Sequence, residues 1–179
     1  MLKGAKTEIM FKRIFTMALF AALLSLIGCD PQRIAELEEG VSTEADVRSK
    51  FGEPEKIWEG LQDGKSVKIF EYNRQPAGHR NYMISIGADG KMAALRQVLN
   101  QVNFAKVTPG MVMEDVRKML GKPMKITPYA LKKETHYDWR WLDGTNQSDS
   151  KIFTVVFDAD LRVLSSASAR DPDLDPKGP

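Results

Sequence analysis

The stretch "GVSTEADVRSKFGEPEKI" at 40–57 returns, altered, as "GMVMEDVRKMLGKPMKI" at 110–126. Gly40 answers to Gly110, Val47-Arg48 to Val116-Arg117, and Phe51-Gly52-Glu53-Pro54 to Leu120-Gly121-Lys122-Pro123. Further on, "FEY" at 70–72 answers to "YDW" at 137–139, and "IGADGKM" at 86–92 to "FDADLRV" at 157–163. The offsets are 70, 69, 67 and 71 residues. Four collinear matches at nearly one period indicate a duplication.

Each copy reads as the same short fold. Thr43 with Asp46 three residues on is a helix N-terminus, and Val47 and Phe51 lie at i and i+4 on one face. Val116 and Leu120 repeat that spacing, but Val112 and Met113 offer no polar cap, so the second helix is expected to fray more at its start. Gly52 and Gly121 suit a left-handed position after the helix, and Pro54 and Pro123 prevent its continuation. Ile34 and Leu37 fit a short preceding helix, with the stretch around Phe104 and Val107 as its counterpart. Tyr82, Ile84 and Ile86 alternate with Met83 and Ser85 as a half-buried strand, and "ADGK" at 88–91 turns the chain back. Tyr137, Trp139 and Trp141 share one strand face, as do Phe153, Val155 and Phe157. The expected class is therefore α+β: two tandem units, 34–103 and 104–168, each of two short helices packed on a three-stranded antiparallel meander. The tail 169–179, "ARDPDLDPKGP", has almost nothing to bury and is expected to be disordered.

The N-terminus reads separately. Lys12 and Arg13 precede an apolar run from Ile14 to Ile27, which as a helix spans about 21 Å, short of a hydrocarbon core of about 30 Å. A basic segment followed by a short apolar one is the pattern of a signal peptide, here 1–28, with translation starting at Met1 or Met10. The run ends "LIGC", and Cys29 is the chain's one cysteine. That ending resembles the lipobox of bacterial lipoproteins. The resemblance implies cleavage between Gly28 and Cys29, a thioether lipid on Cys29, acylation of the new amino group, and residues 29–33 as a linker from the anchor. Three acyl chains, at ~0.8 kcal/mol per buried methylene, exceed what stable anchoring needs. The alternative is an ordinary signal peptide with a chance cysteine near its end.

Charge narrows the partners. The first 28 residues carry a net +3, so removing them from a chain of +2 leaves about −1. A basic nucleic-acid surface is not supported. With Cys29 consumed, no disulfide is available.

The pattern G-M-x-x-x-x-V-R-x-x-L-G-x-P at 110–123, the later F-D-A-D turn at 157–160 and the lipobox resemble the SmpA/OmlA, or BamE-like, lipoproteins. The resemblance implies the two-copy fold over about 34–168 and a place on the periplasmic face of the outer membrane. Its partner would be the machinery that assembles β-barrel proteins. The same helix-and-meander unit in tandem is similar to β-lactamase inhibitory protein, which implies the alternative of an enzyme-binding inhibitor module. The extended Tyr-Arg-Pro-type segment of BamE proper has no match in "CDPQRIAELEEG", so that family's contact residues do not transfer. Asp30, directly after Cys29, leaves inner-membrane retention open.

An enzyme is not expected. His79 and His136 occupy non-equivalent places and lack metal-ligand spacing, "DPDLD" lacks the glycine and closing glutamate of a calcium loop, and "GADG" is a turn. No catalytic residue, metal, small-molecule substrate or cofactor beyond the Cys29 lipid is assigned. The candidate partner-binding residues are Trp58, Trp139, Arg140 and Trp141. Turned inward, the aromatics are core; turned outward, they form a protein-binding patch. Strand addition at an exposed edge is the other open route.

Overall fold

The computed structural model describes residues 30–174. The expected signal peptide, Gly28, Cys29 and the last five residues lie outside them. The chain divides into two compact units, one ending at Leu37 and one running from Glu38 onward. The first contributes helix α1 (Asp30–Ala35). Among the described residues no helix is long and apolar enough to cross a membrane.

The second unit holds both repeats. In order it runs α2 (Glu44–Phe51), β1 (Lys56–Gln62), β2 (Lys65–Asn73), β3 (Asn81–Gly87) and β4 (Met92–Gln97), then α3 (Gln101–Phe104), α4 (Met113–Leu120), β5 (Lys125–Tyr129), β6 (Glu134–Leu142), β7 (Ser150–Phe157) and β8 (Val163–Arg170). Each repeat forms its own antiparallel sheet, ordered β1-β2-β3-β4 and β5-β6-β7-β8. The α+β class stands, with two corrections. The meanders have four strands, because β1 and β5 follow directly from the Gly-x-Pro segments. Of the two helices expected in each repeat, α1 belongs to the other unit and α3 is a single turn.

The duplication is visible in detail. Thr43 and Asp46 form the reciprocal cap of α2, with the Asp46 N–H donating to Thr43 Oγ1 at 3.2 Å and the Thr43 N–H to Asp46 Oδ2 at 2.8 Å. Val112 begins α4 with no side-chain cap. The first turns of both helices are nonetheless held by main chain, Glu44 N–H to Gly90 O and Met113 N–H to Leu161 O, each 2.9 Å. Gly52 and Gly121 have φ of 80° and 77° but ψ of −162° and −170°. They therefore occupy the extended positive-φ region reserved for glycine rather than the expected left-handed helical one. Leu161, where the first repeat has Gly90, takes φ 56°.

Packing follows from strand parity. Phe70, Tyr72, Tyr82 and Ile84 share the face of the first sheet that carries α2, whose Phe51 ring lies 5.2 Å from Tyr72 and 5.7 Å from Tyr82. The opposite face holds Trp58, Glu71 and Asn81, and α4 sits against it. The other side of α4 buries Val116 and Leu120 with Tyr137, Trp139, Phe153, Val155 and Phe157 of the second sheet. One helix thus serves both repeats.

The chain end corrects the expected disorder from 169 onward. β8 continues through Arg170, Asp171 is buried, and a single turn runs Pro172–Leu174. Polar contacts order this end: Ser150 Oγ donates to Asp171 Oδ2 at 2.7 Å, and the Asp171 N–H donates to Ser150 O at 3.2 Å.

Candidate interaction surfaces

The aromatic candidates turn inward. Trp139 is fully buried, with Nε1 donating to Gly121 O at 3.0 Å. Trp141 packs edge-on to Phe104 with centroids 5.0 Å apart, and Trp58 donates to Glu71 Oε2 at 2.8 Å beneath Lys56 Nζ, 3.7 Å above its ring. The three tryptophans are at most 5% exposed, so they anchor the fold rather than an external patch. Arg140, between two inward residues, projects from the other face of the strand but is engaged at home. Its Nε lies 2.7 Å from Asp171 Oδ2, one terminal nitrogen donates to Pro76 O at 3.2 Å, and the other meets Asp173. The four candidate residues thus form no common external patch.

Arg140 sits beside a cluster that sequence separation hid: His79, Ser150 and Asp171. His79 Nε2 lies 3.0 Å from Ser150 Oγ, whose proton goes to Asp171. In a hydrolytic triad the histidine stands between serine and carboxylate and takes the serine proton. Here serine stands in the middle, buried, with its proton held by Asp171, so the arrangement fixes the chain end rather than activating a hydroxyl. Burial, followed by the positive charge of Arg140, holds the His79 imidazole below its ordinary range. Burial alone would raise Asp171, but its hydrogen bonds from Ser150 and the Asp173 N–H, with Arg140 beside it, leave it below the usual carboxylate range.

The seam between repeats is a second polar system. Asn81 Nδ2 donates to Leu120 O at 2.9 Å and Lys122 O at 3.1 Å, the Lys122 N–H donates to Asn73 Oδ1 at 2.9 Å, and Lys122 Nζ reaches Glu55 at 2.6 Å. These side chains are spent on joining the repeats.

A cleft of about 510 Å³ lies at the hairpin end of the first sheet, walled by Gln62, Asp63, Lys65, Asp89 and Lys91. The Asp89 carboxylate already accepts the Lys91 N–H at 3.1 Å. Among the described residues no group of His, Cys, Asp and Glu is arranged to hold a metal ion.

The sheet edges remain, and the two repeats treat them differently. In the first, the Leu95 N–H on the outer side of β4 donates to Glu39 Oε1 at 3.0 Å, and Arg96 pairs with the same carboxylate. Aligning Gly40 with Gly110 puts Pro109 where the first repeat has Glu39. Proline has no carboxylate to offer, and all of β8 after Val163 is exposed.

Residues 97–167 match the family model of the outer membrane protein assembly factor BamE domain. No curated protein matches the chain. Among solved structures, the DUF4309 family protein YjgB from Bacillus subtilis is similar over 76% of this chain and 83% of its own, with 19% identity and a TM-score of 0.29. A β-lactamase-inhibitor-like protein from Streptococcus mutans is similar over 72% of this chain and 82% of its own, with 12% identity and a TM-score of 0.31. At these scores neither likeness carries weight for fold or function. The family match spans α3 through most of β8, so the second repeat of this chain is similar to a BamE domain.

Proposed function

We propose that this protein is a lipid-anchored, non-catalytic envelope protein that assists the assembly of outer-membrane β-barrel proteins through protein–protein contacts. The observation that carries the reading is the BamE domain match over 97–167, together with a lipobox-like "LIGC" ending at Cys29. The polar clusters support it indirectly, since His79, Ser150, Asp171 and the seam residues are occupied in holding the fold. The anchor is the Cys29 lipid, and the location is the periplasmic face of the outer membrane.

In-cell crosslinking followed by affinity capture of the full chain tests this, with a Cys29→Ala control. Recovery of barrel-assembly subunits by the native chain, with loss of membrane attachment in the control, is the expected result. Recovery of one periplasmic enzyme in place of those subunits would overturn it and favour an inhibitor-like module. Retention of the Cys29→Ala chain in salt-washed membranes would overturn the anchor.

A further inference from the structure

We propose that the open edge of β8 pairs antiparallel with the β8 edge of a second copy of this chain, about a two-fold axis through Ala167. The two sheets end in four edges, β1, β4, β5 and β8. An exposed strand edge is a template for pairing, and proteins blunt such edges with charge, proline, shortness or a covering group. β1 carries Lys56 and Glu59, and β5 is five residues long with Lys125 and Pro128. On β4 the outward Leu95 N–H, at the middle of the strand, is capped by Glu39. β8 has none of these devices before its last residue, Arg170: from Val163 to Ala169 it reads "VLSSASA", without charge or proline, and every residue from Leu164 is exposed.

The groups presented on that edge follow from hydrogen bonds already made. Val163 faces outward, exchanging bonds with the 110–111 segment at 2.8 and 2.9 Å. The pairing with β7 shifts by one residue after it. The Asp171 N–H points inward to Ser150 O, so by the two-residue period of a strand 169, 167 and 165 also bond inward. The main-chain groups of Ser166 and Ser168 therefore point outward. Ser166 corresponds to Leu95, the residue whose N–H Glu39 caps in the first repeat.

This edge is self-complementary. A two-fold axis through Ala167 sets Ser166 opposite Ser168 of the second copy, and Ser168 opposite Ser166, as hydrogen-bonded pairs. Ala167 faces its own copy at the non-hydrogen-bonded position, where Cα atoms lie about 4.5 Å apart and small side chains fit. Ser165 falls opposite Ala169, and Arg170 opposite Leu164, so no like charges meet directly across the pair. The interface uses the same patch on both copies and closes, as isologous contacts do. The product is one eight-stranded sheet.

The test places a thiol on the axis of the full chain. Ala167→Cys should oxidise to a disulfide-linked dimer, since the Cα separation falls in disulfide range, at a yield about tenfold above Ser165→Cys or Ala169→Cys alone. Mixing the last two should produce a linked heterodimer. The unsubstituted chain, whose one cysteine is Cys29, sets the baseline. Adding Pro109→Glu to Ala167→Cys restores the carboxylate of the first repeat and should suppress linkage without changing thermal unfolding. Ser168→Pro, which removes only an outward N–H, should do the same. Equal yields at 165, 167 and 169, no dimer above baseline, linkage unaffected by both blocking substitutions, or capture of the Ala167→Cys thiol by a different protein would each overturn the proposal.

Discussion

The Glu71 carboxylate, with no exposed surface, meets Arg117 of α4 at 3.3 Å across the seam between the repeats. It also accepts from Trp58 Nε1 and Asn73 Nδ2, both at 2.8 Å. A buried carboxylate with this many donors is tolerated only while they remain, because its desolvation is a standing cost. The duplicated Arg48 does different work, pairing with Glu44 and Glu53 beside its own helix. One position of the repeat has thus become a clamp in the second copy and a surface pair in the first.

Removing the clamp should uncouple the repeats. Arg117→Met leaves Glu71 buried with its cation gone and is expected to cost about 3 kcal/mol in urea denaturation. Adding Glu71→Gln removes the stranded charge and should recover most of that loss. A double variant no more stable than Arg117→Met would show that the two groups are not coupled.

The two glycines that end α2 and α4 should respond unequally to alanine. Both have the same strained backbone, so each substitution carries a conformational cost of about 1–3 kcal/mol. At Gly52 an added Cβ meets nothing within 4 Å. At Gly121 it would lie 2.6 Å from Asn73 Oδ1 and 2.9 Å from Asn81 Nδ2, displacing the amides that bind the main chain around α4's end. Gly121→Ala should therefore be worse than Gly52→Ala by roughly 2 kcal/mol, the cost of leaving buried polar groups unpaired. Equal losses would mean that backbone strain alone decides.

The repeat motif made the helices, their ends and the hairpin turns legible, because each rests on a local requirement: a cap, an i,i+4 pair, a glycine with positive φ. β1 and β5 leave little mark in the sequence because edge strands bury little. Ile57, Leu61 and Ile126 are exposed, so no hydrophobic alternation marks them. The ordered chain end was hidden for another reason. Asp171 is fixed by Ser150, 21 residues away, and composition carries no trace of such a bond. The direction of the tryptophans was open in the apolar residues alone, although Asp138 and Arg140, polar and on the opposite face, favoured an inward turn for Trp139 and Trp141. The edge difference between repeats needed both: the Glu39-to-Pro109 exchange is in the sequence, but its meaning required the Leu95 contact.

Acid should loosen the chain end before it attacks the rest. Burial and Arg140 depress His79 from its ordinary 6.5, so the fold favours the neutral ring. The unfolded chain binds that proton more readily, and stability should be whole above pH 6.5 and fall as pH drops through the folded-state value. The depressed Asp171 and Glu55 carboxylates add a second loss at lower pH, below the usual carboxylate range. His79→Gln should flatten the upper part of a melting-temperature profile and leave the lower part. An unchanged profile between about pH 7 and 5 would place the upper loss elsewhere.

The unequal helix N-termini offer a gain as well as a loss. α2 has the reciprocal Thr43–Asp46 cap, whereas α4 begins at Val112 with Asp115 already three residues on. The Asp115 N–H makes do with Val112 O at 3.0 Å. Val112→Thr keeps the branched shape and supplies the oxygen that completes the box, so it should stabilise the chain by about 0.5–1 kcal/mol. Thr43→Val, the reverse exchange, should cost about 1 kcal/mol. Because α4 packs on both sheets, tightening its first turn should raise the midpoint of the whole unfolding transition, whereas an effect confined to the helix would broaden it. A Val112→Thr chain that melts where the native one does would show that the main-chain bond from Met113 to Leu161 already fixes that turn.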